Sequence, residues 1–301
     1  MKTMNTLSKL TLSFLLFGAL LFAACKKEGS NSNNDQTVAA LTETTVNDTE
    51  ADDVNDDVFN NTMGISASDA GEDLGITAGI GVFGRMENGE LTGRVDSTNR
   101  CFTVTVSPRT PGVFPKTVTI DFGTGCIGKD GKLRKGKIIT VFTNRMSVPG
   151  AKATTTFDGY KVDSAAVSGT HEVINNSVSN SRIFTRNVIA GQITWDSGRW
   201  VKWTTSRTIT QLEGNGTPLF PLDDVFSISG SGSGENSKGN RWSHTILEPL
   251  IKRFACRWIS KGVVNITFNN RVALLNYGNG DCDNKATITI NGITKEITLP
   301  R

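Results

Sequence analysis

Histidine is scarce in this chain, and its scarcity removes several chemistries at once. His171 and His244 are the only two in 301 residues. Thr170-His171-Glu172-Val173-Ile174-Asn175 is not a metalloprotease helix, and neither histidine stands in a zinc-type spacing. No G-x-S-x-G nucleophile elbow occurs; Gly230-Ser231-Gly232-Ser233-Gly234 has glycine at the nucleophile position and reads as a flexible, low-complexity loop. Gly123-Thr124-Gly125-Cys126-Ile127-Gly128 has the spacing of a dinucleotide fingerprint. A turn signal and a strand follow it, however, and not the helix whose N-terminus would hold a phosphate. Gly131 to Ile138 approaches a P-loop but lacks the hydroxyl residue that would hold magnesium. The carboxylates Asp223, Asp224 and Glu235 have no setting that would mark them for glycoside hydrolysis. A non-catalytic protein without cofactor is expected.

Long apolar runs are also lacking, with one exception at the start. Lys2 and Lys9 precede an apolar run from Leu10 to Phe22, too short to span a bilayer comfortably. Ala23 and Ala24 then stand directly before Cys25. Small residues after such a run mark a cleavage site. The arrangement resembles the lipobox of bacterial lipoproteins, in which the cysteine is diacylated and becomes the new N-terminus; Phe22 departs from the usual leucine. The resemblance implies residues 1–24 as signal peptide, lipidation (palmitate) at Cys25, and anchorage in a cell envelope. Lys26, in place of the aspartate tied to inner-membrane retention, favours the outer membrane, with periplasmic and external faces both open.

Charge is divided unevenly. Residues 26–84 hold twelve acidic and two basic side chains; residues 85–301 hold 28 Lys and Arg against 17 Asp and Glu. Apart from Lys132, Arg134, Lys135 and Lys137, the basic residues are scattered, which reads as a solvated basic face near anionic headgroups or acidic glycans. No nucleic-acid partner is expected.

Residues 25–48 read as a flexible tether, since Gly29-Ser30-Asn31-Ser32-Asn33-Asn34-Asp35 has nothing to bury. A short helix and connector follow at 49–74. Ala51, Val54 and Val58 recur at helical spacing, with Asp52, Asp53, Asp56 and Asp57 on solvated faces. Those aspartates lack the glycine and distal glutamate of a calcium loop, so no metal site is read there.

From about residue 75 the chain is rich in Thr, Gly, Val and Ile, and turn signals recur at hairpin spacing. The expected fold is mainly β: an antiparallel meander or sandwich over 75–301. The clearest hairpin turns at Asn291-Gly292, placing Ile290 opposite Ile293 and Ala286 opposite Ile297, with Ile288 and Leu299 on the same apolar face. An internal repeat divides the domain at about 75–180 and 181–301. Ile120-Asp121-Phe122-Gly123-Thr124-Gly125-Cys126 returns as Leu275-Asn276-Tyr277-Gly278-Asn279-Gly280-Asp281-Cys282, with Cys101 and Cys256 upstream at matching distances. Each pair brackets two strand-like runs about a turn, so the expected disulfides are Cys101–Cys126 and Cys256–Cys282, worth roughly 3 kcal/mol each by loop closure. Because Asp121 becomes Asn276 in the second copy, this position reads as a turn hydrogen-bonding group, not an acid catalyst. The repeated motif and the Cys282-Asp283-Asn284-Lys285-Ala286-Thr287-Ile288 continuation are similar to those of uncharacterised Bacteroidetes lipoproteins, a group that implies a location and no activity.

One aromatic cluster is a candidate ligand site. Trp195 and Trp200 flank the Asp196-Ser197-Gly198 turn, and Trp203 follows, with Arg199 and Lys202 between them. An exposed row of this kind stacks on sugar rings, while packing across strands is the ordinary use of such residues. The functional expectation is an anchored structural or binding module for glycan or another envelope component. The alternative is a periplasmic carrier whose curved sheet cups a lipid or other apolar ligand.

Overall fold

The computed structural model describes residues 32–64, 73–76, 86–87, 90–91, 101–128, 130–179, 181–216 and 221–299, with the side chains of the helix from Ala39 onward. The apolar leader, Cys25 and the start of the expected tether lie outside these residues. Among the described residues one α-helix, α1 (Ser32–Met63), is followed by a two-stranded ribbon, β1 (Met86–Glu87) with β2 (Glu90–Leu91). Among the described residues after it, a 14-stranded antiparallel sheet runs from Thr103 to Thr298. Its first half comprises β3 (Thr103–Ser107), β4 (Lys116–Asp121), β5 (Cys126–Ile127), β6 (Leu133–Phe142), β7 (Lys152–Val162), β8 (Ala165–Asn175) and β9 (Ile183–Trp195). The second half comprises β10 (Trp200–Glu213), β11 (Val225–Asn236), β12 (Arg241–Arg253), β13 (Lys261–Phe268), β14 (Arg271–Asn279), β15 (Lys285–Ile290) and β16 (Ile293–Thr298). Apart from the short β5, which pairs with β6 beside the path, each strand lies next to its neighbours in sequence. The sheet runs without interruption through the expected boundary near 180, where β8 pairs with β9.

Short turns dictate this meander. Asn269 and Asn270 both have positive φ, as do Asn291 and Gly292, the backbone that closes a two-residue hairpin with the correct twist. The C-terminal register is as expected: Ile290 faces Ile293 and Ala286 faces Ile297. Ala286, Ile288, Ile290 and Leu299 are buried. Ile293 is 65% exposed, because β16 is an edge strand covered only in part. Both disulfides join the expected cysteines, with Cα–Cα distances of 5.3 Å and 5.4 Å. Asp121 and Asn276 each accept a hydrogen bond from the backbone N–H two residues on, at 2.8 Å, so the exchange between repeats preserves one turn contact.

Side chains alternate between the faces. On β10, Val201, Trp203, Thr205, Arg207 and Ile209 are buried, whereas Lys202, Thr204, Ser206 and Thr208 are exposed. The outward face of β10 is therefore polar. The inward face meets α1, which touches β6, β10, β11, β13 and β14. Leu41, Ala51, Val54, Val58, Phe59 and Met63 enter the hydrophobic core from the helix. Thr44, Thr45, Asn47, Asp48, Asn55, Asp57 and Thr62 are buried as well. Of the described helix side chains only Ala39 and Val46 are exposed. The sheet thus buries one broad side of the helix and leaves a half-exposed stripe through Glu43, Val46, Glu50 and Asp53.

The helix differs from the sequence expectation in two ways. The helix starts at Ser32, not near residue 49, and takes up residues assigned to a flexible tether. Its aspartates are also turned to the protein, not to solvent. Thr, Asn and Asp fill much of α1, and these residues favour caps and turns over helix interiors. Such a segment is helical because of what surrounds it. Thr44 and Thr45 satisfy their buried hydroxyls by donating to the Leu41 carbonyl within the helix.

Candidate functional site

The chemistry concentrated in this fold lies between α1 and the inner face of the sheet. Glu43 pairs with Lys238 at 3.0 Å, and Glu50 takes both terminal nitrogens of Arg199 at 2.7 Å and 2.9 Å. Asp52 pairs with Arg207 at 2.6 Å and Asp56 with Arg186 at 2.7 Å. Asp53 accepts from Lys132 at 2.9 Å. Asp57 bonds Arg134 and accepts from the Tyr160 hydroxyl at 2.6 Å; Arg134 also holds Asp130. Asp48 accepts from Trp242 Nε1 at 3.0 Å, and His244 Nδ1 lies 2.6 Å from the same oxygen.

The periods of helix and sheet explain why these partners meet. Asp48, Asp52 and Asp56 are four residues apart and share one helix face. A helix advances about 5.4 Å per turn, close to the roughly 4.8 Å between strands. Carboxylates one helical turn apart therefore reach different strands in sheet order, here with β11 passed over. Asp48 reaches β12, Asp52 reaches β10 and Asp56 reaches β9.

Strand β11, between β10 and β12, carries the Gly-Ser alternation. It is not a loop but the middle of a strand, with Gly230, Gly232 and Gly234 on the inward side. A Cβ on Gly232 would come within 2.7 Å of the His244 ring, and one on Gly234 within 2.3 Å of the Trp242 ring. The glycines leave room for those two side chains to lie across β11 towards Asp48.

The helix carboxylates also solve a repulsion within the sheet. Arg186 and Arg207 are direct cross-strand partners, and both are buried. Like charges so placed destabilise a sheet unless something neutralises them. Asp56 and Asp52 do so, one for each. Burial drives the Asp48 and Asp57 carboxyls upward, but their cationic and hydrogen-bonding partners outweigh it and hold both below the ordinary value. Asp56 behaves differently: burial, with Asp52 adding to it, outweighs Arg186 and raises its carboxyl. Arg134 and Arg207 are raised despite burial, Arg134 chiefly by Asp57 and Arg207 by Asp52. His171, deeper in the sheet, is pushed down to about 3 by burial and by Arg186.

The aromatic candidates do not form one surface. Trp200 pairs with Thr194, not Trp195, and Trp203 points inward, buried edge-on to His171 at 6.2 Å. Trp195 is half-buried beneath Arg199, whose guanidinium lies 3.5 Å from its ring centre and is engaged by Glu50. Only Trp200 and Lys202 remain together on the outer face, with the ammonium 4.8 Å from the ring centre. The basic cluster is likewise divided, since Lys132 and Arg134 turn to the helix rather than to solvent. Asp224 and Glu235 stand at opposite ends of β11, about 36 Å apart at strand rise. They form no catalytic pair. Asp224 is raised to about 7, mainly by burial and also by Asp223, and accepts from Gln211 at 2.8 Å.

On the outer face, Asn187, Ile189, Thr204, Ser206, Ser231 and Ser233 line a shallow groove of about 440 Å³. It carries hydroxyl and amide groups beside the apolar Val188 and Ile189, and no charge. The helix–sheet pairing was missed in the sequence although one signal pointed to it. The acidic N-terminal segment and the basic body are complementary, and they find each other within one chain. The chain matches no family model, no curated protein and no solved structure.

Proposed function

We propose that the chain is a lipid-anchored, non-catalytic module of a bacterial cell envelope, attached through Cys25 and acting in a structural or binding capacity at the outer membrane. The observation that supports the non-catalytic part is the pairing of the buried inner-face arginines. The buried cations that would make a reactive cleft, Arg134, Arg186 and Arg207, are each matched by a carboxylate of α1. The same occupation weighs against a lipid carrier, which needs a vacant, apolar inner face. Anchorage rests on the apolar leader and the Ala23-Ala24-Cys25 junction. The outer groove of β9–β11, with its uncharged hydroxyls, takes over from the tryptophan cluster as the place where a glycan would be contacted.

The test is fractionation of cells making the full chain or its Cys25→Ser variant, with a metabolically incorporated fatty acid as label. The reading expects label and membrane association for the parent and neither for the variant. Full membrane association of the unlabelled variant would refute it.

A further inference from the structure

Resting on the binding role proposed above, we infer that the outer groove of β9–β11 takes an uncharged polysaccharide, whose sugar rings offer an apolar face and a rim of hydroxyls. The surface around the groove carries no charge. In one row Thr204 lies opposite Ser233 and Ser233 opposite Ser243; in the next, Ser206 lies opposite Ser231 and Ser231 opposite Thr245. All six are exposed. Lys202, Glu235 and Arg241 form the adjoining row, so charge of both signs stops at the border. A charged ligand group laid across the two inner rows would lose water without gaining a counter-charge, a penalty that an uncharged ligand avoids. These hydroxyls are also not spent on one another. Elsewhere in the sheet facing threonines bond directly, Thr140 with Thr155 at 2.9 Å and Thr289 with Thr294 at 2.8 Å. Among the described residues no side-chain hydrogen bond joins Thr204 to Ser233 or Ser206 to Ser231. Strand β9 supplies the apolar part. It sets two residues, Ile189 and Ala190, opposite the single Thr204, and Ala190 has a φ of 49°, in the left-handed region. Ile189 lines the groove and is 49% exposed. A bulge re-aims side chains, and a strained backbone at a non-glycine residue is a mark of functional positions. Hydroxyls on β10 and β11 facing an apolar wall on β9 match the two kinds of surface of a sugar ring.

The test is affinity electrophoresis of the full chain in non-ionic detergent, through gels containing dextran, mannan, laminarin or the acidic polygalacturonate. Retardation is expected with at least one of the three uncharged polymers and not with polygalacturonate. Ser231→Glu places a charge in the second row, and Ser206→Tyr fills the groove. Each should raise the apparent Kd about tenfold, the loss of one good polar contact. Thr156→Glu, at an exposed position of β7, should leave it unchanged. All three positions are exposed, so the variants should fold, which urea unfolding checks. Unretarded migration through every uncharged polymer would overturn the inference. So would retardation by polygalacturonate as strong as by any of them, or parent-like binding by both groove variants. The Cys25→Ser chain should bind as the parent does. A failure at the groove therefore leaves the lipid anchor standing, and loss of the anchor leaves the groove standing.

Discussion

The two halves of the inner face are made differently. One row of paired residues crosses the sheet through Thr140, Thr155, His171, Val188, Thr205, Gly232 and His244. It continues into Ile266, Ala273 and Ile290. From β6 to β12 the row is mostly polar, and the neighbouring row adds Arg186 and Arg207. From β13 onward it is apolar. The second region is held by burial, at roughly 25 cal/mol per Å² of apolar surface. The first has a buried apolar core too and adds matched charges to it, each costly to bury alone and tolerable only when paired. Hydrophobic burial asks only for the right face, whereas charge pairing requires a particular partner. The polar half of the sheet is therefore specific for α1 in a way that the apolar half is not.

The sharpest break in this comparison is removal of one charge. Arg207→Ala strands Asp52 and is expected to cost about 3–5 kcal/mol in urea unfolding. Thr208→Ala, next in sequence but facing outward, should stay within about 0.5 kcal/mol. Equal losses would mean the inner pairing contributes nothing special. In the apolar half, replacing both Cys256 and Cys282 by serine should cost roughly 3 kcal/mol through the reopened loop, without exposing α1. Proteolysis confined to residues around the open loop would agree with that; cleavage in α1 would not.

A smaller effect is expected at the glycine stripe. Gly234→Ala drives a methyl group into the Trp242 ring and should cost about 1–3 kcal/mol. Gly216→Ala, which meets nothing within 4 Å, should be silent. If the two behave alike, the stripe does not serve the crossing of Trp242 and His244.

The smallest effect at neutral pH belongs to His171. Its pKa falls from 6.5 to about 3 on folding, so between those values the unfolded chain binds more protons. Its contribution to stability is then fully present above pH 6.5 and is lost as the pH falls towards 3. His171→Gln should flatten the slope of unfolding free energy against pH in that window. An unchanged slope would show that the imidazole is not held neutral.

What could be read from the sequence follows the same division. The hairpins at Asn269-Asn270 and Asn291-Gly292, the apolar alternation of β15 and both disulfides were legible because each is a local pattern or a simple spacing. The acidic helix was not. Its apolar residues 51, 54 and 58 marked a helix, but polarity on the remaining faces read as solvation, since nothing local distinguishes Asp52 facing water from Asp52 facing Arg207. The Gly-Ser alternation of β11 was misread for a related reason. Its glycines are required by side chains of a different strand, and no single-segment pattern records that. The candidate site was legible only as a composition: an acidic first part and a basic second part whose partner was taken to lie outside the chain.

Residues 41–63 form a helix packed against the sheet and paired with its cations. Amide hydrogen exchange on the chain after the leader measures this directly. The account requires the α1 amides to be protected to the level of β10, with protection falling across the whole helix in Arg207→Ala. Free exchange of the α1 amides while β10 remains protected would contradict it.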